Sequence, residues 1–159
     1  MLKKKYNGIW FYGLAGTGKS FASNFLKKKI KDKIILFDGD VIRKHVSFDL
    51  GYSLEDRKIQ IKRVLGLIKI AKQSNIFSIS STVYLDKKTL NNLKKHSILA
   101  VEIQRDLSEI KKIRSIYKKN KNIVGKDIKI KKLNTIKFKN TGDKDFCTKL
   151  LILKKKINI

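Results

Sequence analysis

Eight consecutive residues, Gly13-Leu14-Ala15-Gly16-Thr17-Gly18-Lys19-Ser20, carry the spacing G-x-x-x-x-G-K-[ST]. Glycines so placed let the backbone curl into a nest whose N–H groups point at phosphate oxygens. A helix that starts where the motif ends adds its own free N–H groups and the positive end of its dipole. The Lys19 side chain reaches the outer phosphates of a nucleoside triphosphate, and the Ser20 hydroxyl suits Mg²⁺. Gly13, Ala15, Gly16, Thr17, Gly18, Lys19 and Ser20 are therefore expected to bind ATP, with Lys19 also catalytic and Ser20 the metal ligand. The flanks support this. Ile9-Trp10-Phe11-Tyr12 is a short apolar run suited to a buried strand, and from Ser20 to Ile30 the apolar residues fall at 21, 22, 25, 26 and 30, a helical spacing.

A second chemical element is Asp38-Gly39-Asp40, which follows the apolar run Ile34-Ile35-Leu36-Phe37 and precedes Arg43 by one helical turn. Two carboxylates beside a phosphate can hold hydrated Mg²⁺, or one of them can accept the proton of an attacking hydroxyl. A turn in which Asp40 caps a helix is the structural alternative. Arginine is scarce: the 39 basic residues include only Arg43, Arg57, Arg63, Arg105 and Arg114, and three of these lie between 43 and 63. Lysine is a point charge, whereas the planar guanidinium grips phosphate or sulfate with two parallel bonds. Such a cluster in a lysine-rich chain implies that fork geometry is needed there.

The elements that must position these groups alternate. Strands are expected at 8–12, 33–37, 76–81, 97–103 and 135–139, and helices at 19–30, 55–73, 86–95 and 106–118. Near-continuously apolar strands alternating with helices imply an α/β fold, a five-stranded parallel sheet covered on both faces. Ligands of such sheets bind at the carboxyl ends of the strands, which also brings Ser80-Ser81-Thr82 into the search. The polar, lysine-rich stretch 118–132 is expected to form a lid, and 143–157 a last helix.

Length and charge bound the rest. The 159 residues suit one domain spanning 1–159, and no apolar run approaches a membrane span. A basic start without a following apolar region argues against export. Cys147 is the only cysteine, which excludes an intrachain disulfide and suits a cytoplasmic protein; His45 and His96 lack metal-motif spacing. The net charge of +26 attracts polyanions. Runs such as Lys27-Lys28-Lys29 and Lys154-Lys155-Lys156 read as solvated faces, however, and no aromatic-basic interleaving marks a nucleic-acid platform. The expected partner is a small-molecule nucleotide rather than nucleic acid or membrane.

The segment Asp38-Gly39-Asp40-Val41-Ile42-Arg43, then Leu50-Gly51-Tyr52-Ser53, then Asp56-Arg57, Gln60 and Lys62-Arg63 resembles the adenylylsulfate kinases. Their pattern is D-G-D-x-x-R, L-G-F-S, D-R-x-x-N-x-R-R at the same spacing, and their glycine loop is similar too. The resemblance implies a P-loop NTPase-type three-layer sandwich that transfers the ATP γ-phosphoryl group to a nucleotide 3′-hydroxyl, often as a homodimer. It implies Asp40 as catalytic base and an acceptor site of Asp40, Arg43, Tyr52, Arg57, Gln60 and Lys126, to which the strand-end residues Asp38, Ser81 and Thr82 are expected to add. Within that site Arg43 and Arg57 meet the anionic 5′ group and Tyr52 stacks on the base, while Arg114 lies over the ATP adenine.

The chain departs from the family in its second half. Ile-Ser-Pro-Tyr-Arg is replaced by Ser80-Ser81-Thr82-Val83-Tyr84-Leu85-Asp86, and the segment around Arg114 is three residues shorter. These changes fall where the second nucleotide is read, which points to retained chemistry with an altered acceptor. The expected acceptor is cytidine 5′-diphosphoramidate, as in divergent members serving capsular polysaccharide phosphoramidate biosynthesis. Adenylyl sulfate is the alternative. A basic nucleic-acid-binding protein with a nucleotide site is the reading from another class.

Overall fold

The computed structural model describes residues 6–113, 117, 121–142 and 144–157. The central strand, β1 (Gly8–Tyr12), is buried along its whole length. Its side chains alternate, Ile9 and Phe11 entering one apolar cluster and Trp10 and Tyr12 the other. A strand covered on both faces needs apolar residues at every position, which is why Ile9 to Tyr12 shows no polar alternation.

The chain continues through α1 (Lys19–Lys29), β2 (Ile34–Asp38), α2 (Gly39–His45), α3 (Leu54–Gln73), β3 (Phe77–Thr82), α4 (Lys87–Lys95), β4 (Ile98–Gln104), α5 (Leu107–Ile113), β5 (Ile136–Lys139) and α6 (Lys144–Ile157). All pairings are parallel, in the order β2-β3-β1-β4-β5. After β1 the chain goes out to the β2 edge, returns to β3 beside β1, and then crosses to β4 and β5. The order therefore reverses around β1, and a crevice opens beyond its carboxyl end. Helices cover both faces. Ala22 and Leu26 of α1 and Phe146, Leu150, Leu153 and Ile157 of α6 pack on one side. Ile61, Val64, Leu65, Ile68 and Ala71 of α3, with Leu90 and Leu93 of α4, pack on the other.

Every expected strand is present; β1 keeps its bounds and the other four begin one residue later. One helix, α2, was not expected as an element. Only Ile42 of its seven residues is buried, so it has no apolar period to read. Its cap is also a correction: Asp38 rather than Asp40 caps α2, accepting a bond from the Asp40 amide. The expected helix 106–118 is described as α5 over 107–113, and residues 114–116 and 118–120 lie outside the described residues. Within 121–132 there is neither helix nor strand, but the stretch is less polar in its packing than its lysines suggest. Ile123, Val124 and Ile128 are buried in a turn where the Asp127 and Ile128 amides both donate to the Ile123 carbonyl.

Candidate active site

The glycine loop joins β1 to α1 at the crevice. Gly13 and Gly18 have φ of +144° and +100°, a region that side chains rarely adopt. A Cβ added at Gly13 would stand 2.2 Å from the Ile103 carbonyl oxygen, and one at Gly18 would stand 2.3 Å from Asn140 Nδ2. The Leu14 carbonyl gathers the loop: it accepts from the Thr17 amide (3.3 Å) and hydroxyl (3.0 Å) and from Lys19 Nζ (2.7 Å). Gly18, at the N-cap of α1, supplies no side-chain cap, and amides at an uncapped helix start are suited to an anion. From outside the motif, the Tyr117 hydroxyl donates to the Ala15 carbonyl (3.1 Å) and Asn140 Nδ2 to the Thr17 carbonyl (2.8 Å).

Beside the loop, Asp38 holds three groups. Its Oδ2 accepts from Ser20 Oγ (2.9 Å) and Ser81 Oγ (2.7 Å), and its Oδ1 accepts from the Asp40 amide (3.0 Å). Burial pushes this carboxyl up, but bonds from Ser81, Ser20 and the amides of Asp40 and Val41 outweigh it and hold it below the usual carboxylate range. Asp38 is thus an anion fixed against the Ser20 hydroxyl. These are hard oxygen donors, few in number, and they fit Mg²⁺, which keeps several waters and phosphate oxygens of its own. Asp40, two residues on, is exposed and joins this network through its amide. A cavity of about 310 Å³ opens among Ser20, Asn24, Asp38 and Ser81. The larger hollow, about 540 Å³, lies by the amino ends of the strands between Tyr6, Lys94 and Ser97, away from every motif residue.

The second group forms around Tyr52, which is 56% exposed. The Arg43 guanidinium lies over its ring at 4.7 Å and that of Arg57 at 5.6 Å, within the range of cation–π attraction. Arg43 also donates to the Leu50 carbonyl (3.3 Å) and to that of Gly51. Arg57 is buried, and burial followed by the like charge of Arg43 lowers its pKa. Its Nη2 donates to the Asn122 carbonyl (2.9 Å), so α3 holds the turn that follows α5. Gln60 Nε2 bonds the Gly39 carbonyl (3.1 Å) and thereby ties this group to the Asp38–Asp40 turn. A capping box makes the arrangement possible: Ser53 and Asp56 close the first turn of α3 on each other, one residue before Arg57.

The fold therefore brings the loop, Asp38 and Ser81 into direct contact, and Arg43, Tyr52 and Arg57 into a second cluster that Gln60 joins to the first. Thr82 is occupied structurally: its hydroxyl accepts from Trp10 Nε1 (2.8 Å) and donates to the Tyr84 carbonyl (2.8 Å). Lys126 is exposed on the 123–128 turn, and Arg114 lies outside the described residues. Sequence reasoning missed Asn140 and Tyr117. Asn140 had one available signal, a polar residue directly after the last strand, at the carboxyl edge where ligands bind.

The family described as adenylylsulphate kinase matches residues 5–137. The adenylyl-sulfate kinase of Clostridium acetobutylicum is 32% identical over 130 residues, covering 77% of this chain and 65% of that protein. That of Halothermothrix orenii is 33% identical over 86 residues, covering 52% and 46%. The chain thus spans less than two thirds of the length of these relatives. Among solved structures, the Mycobacterium tuberculosis APS kinase CysC in complex with AMPPNP and APS is similar with a TM-score of 0.78 at 18% identity, covering 94% of this chain and 98% of that one. At that identity the likeness shows the fold.

Proposed function

The chain belongs to the adenylylsulphate kinase family, and from that premise we propose that it transfers the γ-phosphoryl group of ATP to the 3′-hydroxyl of adenylyl sulfate. The observation that carries this is the contact between Ser20 of the phosphate loop and Asp38, with Asp40 two residues beyond it. It supports a reading in which a triphosphate site lies beside a carboxylate suited to deprotonating a hydroxyl. The bond from the γ-phosphorus to the β–γ bridging oxygen breaks as the bond to the 3′-oxygen forms, and the hydroxyl proton passes to Asp40. Lys19 and the amides at the start of α1 offset charge on the transferred group. Ser20, backed by Asp38, would hold Mg²⁺, which when bound neutralises phosphate charge. Arg43 and Arg57 suit the anionic 5′ end of the acceptor, and the Tyr52 ring its base.

The departures in the second half favoured cytidine 5′-diphosphoramidate and a role in capsule synthesis. The relatives quoted above carry the name adenylyl-sulfate kinase instead, so adenylyl sulfate is the better-supported acceptor. Release of ADP is the deciding measurement, with each of the two nucleotides offered in turn. A large kcat/KM preference for adenylyl sulfate is expected, and a preference for the cytidine nucleotide would overturn the assignment. Asp40→Asn and Lys19→Ala should each lower kcat by roughly 100-fold or more while the fold persists; wild-type turnover in either would remove that residue from its role.

A further inference from the structure

We infer that Asn140, 123 residues beyond Thr17 of the phosphate loop, is a positioning residue that sets the loop in its anion-binding form. The inference rests on the reading of residues 13–20 as the ATP site. Asn140 follows β5 immediately and is 7% exposed. Three bonds define it. Its amide donates to the Gln104 carbonyl (2.7 Å) and prolongs the β4–β5 pairing, its Oδ1 accepts from the Gly142 amide (2.9 Å), and its Nδ2 donates to the Thr17 carbonyl (2.8 Å). The partners settle the orientation of the side-chain amide, because an N–H can only donate and a carbonyl only accept.

The Thr17 carbonyl shares one peptide group with the Gly18 N–H. A trans peptide is planar, so the two point in opposite directions. Pinning the carbonyl against Asn140 therefore aims the Gly18 N–H away from β5, into the concave side of the loop. Gly18 needs this restraint more than any other residue would. With φ at +100° and no side chain, rotation of its peptide meets little steric resistance. Asn140 also fills the space a side chain at 18 would take, 2.3 Å from the position of a Cβ there. Glycine at 18 and asparagine at 140 thus form one device, split between the first helix start and the last strand end. Thr17, 1% exposed, offers its carbonyl no water as a substitute.

The test compares wild type with Asn140→Asp and Asn140→Ala by calorimetric titration with ATP in the presence of Mg²⁺, which needs no acceptor. Aspartate keeps the shape but sets an acceptor oxygen against the Thr17 carbonyl; alanine leaves that carbonyl unpartnered. Both should raise the ATP dissociation constant about 10- to 100-fold, aspartate more than alanine, with the melting temperature lowered by about 2–10 °C, unfolding still cooperative, and an unchanged KM for the acceptor. Wild-type ATP affinity in both variants overturns the inference while leaving the functional reading intact. So does loss of folding in both, which makes Asn140 a core residue. A wild-type protein that binds no ATP defeats the functional reading first, and the inference falls with it.

Discussion

Asp38 and Asp40 differ in environment although only a glycine separates them. Asp38 is half-buried, bonded to two hydroxyls and a backbone amide; Asp40 faces solvent. Its bonds hold Asp38 as an anion. Because the folded value of Asp38 lies below its unfolded one of about 3.9, its contribution to stability is complete above that value and is lost as pH falls through the folded value. Asp38→Asn should therefore lower the melting temperature at neutral pH, and the gap to wild type should narrow as pH falls from neutral through the unfolded value of about 3.9 and below. Thermal unfolding followed by circular dichroism across that range checks it; a gap that stays constant would mean that the carboxylate charge contributes nothing.

Among the elements, α3 carries the cluster proposed to meet the acceptor. It buries Arg57, Gln60 and the row Ile61, Val64, Leu65 and Ile68, so one helix anchors the sheet on one stripe and presents polar groups at its start. The Ser53 and Asp56 capping box decides where that start lies, and so where Arg57 stands relative to Tyr52 and to Asn122. Ser53→Ala should cost about 1 kcal/mol of stability and raise KM for the acceptor while ATP affinity holds. Denaturant unfolding together with separate titrations of the two substrates would show this, and an equal loss for both would place the effect in the fold as a whole. The turn at 123–128 connects the two sides: Asn122 meets Arg57, and a Cβ at Gly125 would come 2.5 Å from a Leu14 methyl.

For the molecule as a whole, the net charge of +26 has an evident place in helix ends. The last turns of α1, α4 and α6 carry Lys27-Lys28-Lys29, Lys94-Lys95 and Lys154-Lys155-Lys156, where cations complement the negative end of the helix dipole. His96, just after α4, registers that field: partial burial first, then Lys69, Lys72 and Lys95, lower its pKa. Charge gathered in this way attracts any polyanion without reading it. Binding to duplex or single-stranded nucleic acid should be independent of sequence and fall by about tenfold or more between 50 and 200 mM salt. Gel-shift titrations at the two concentrations decide; sequence-dependent binding that survives the higher one would restore a nucleic-acid role.

Legible from the sequence alone were the glycine loop, the five strands, the covering helices and the residue types of both halves of the site. Each depends on a local pattern: an eight-residue motif, an apolar run, or a helical period. The short helix α2 escaped because one buried residue in seven makes no period. Only the tertiary structure decided that Asp38 rather than Asp40 is the cap, that Thr82 serves the Trp10 indole, that Arg57 reaches the Asn122 carbonyl, and that Asn140 grips the Thr17 carbonyl. The last three contacts join positions 65 to 123 residues apart. The order in which parallel strands sit side by side creates them, and no spacing along the chain encodes that order.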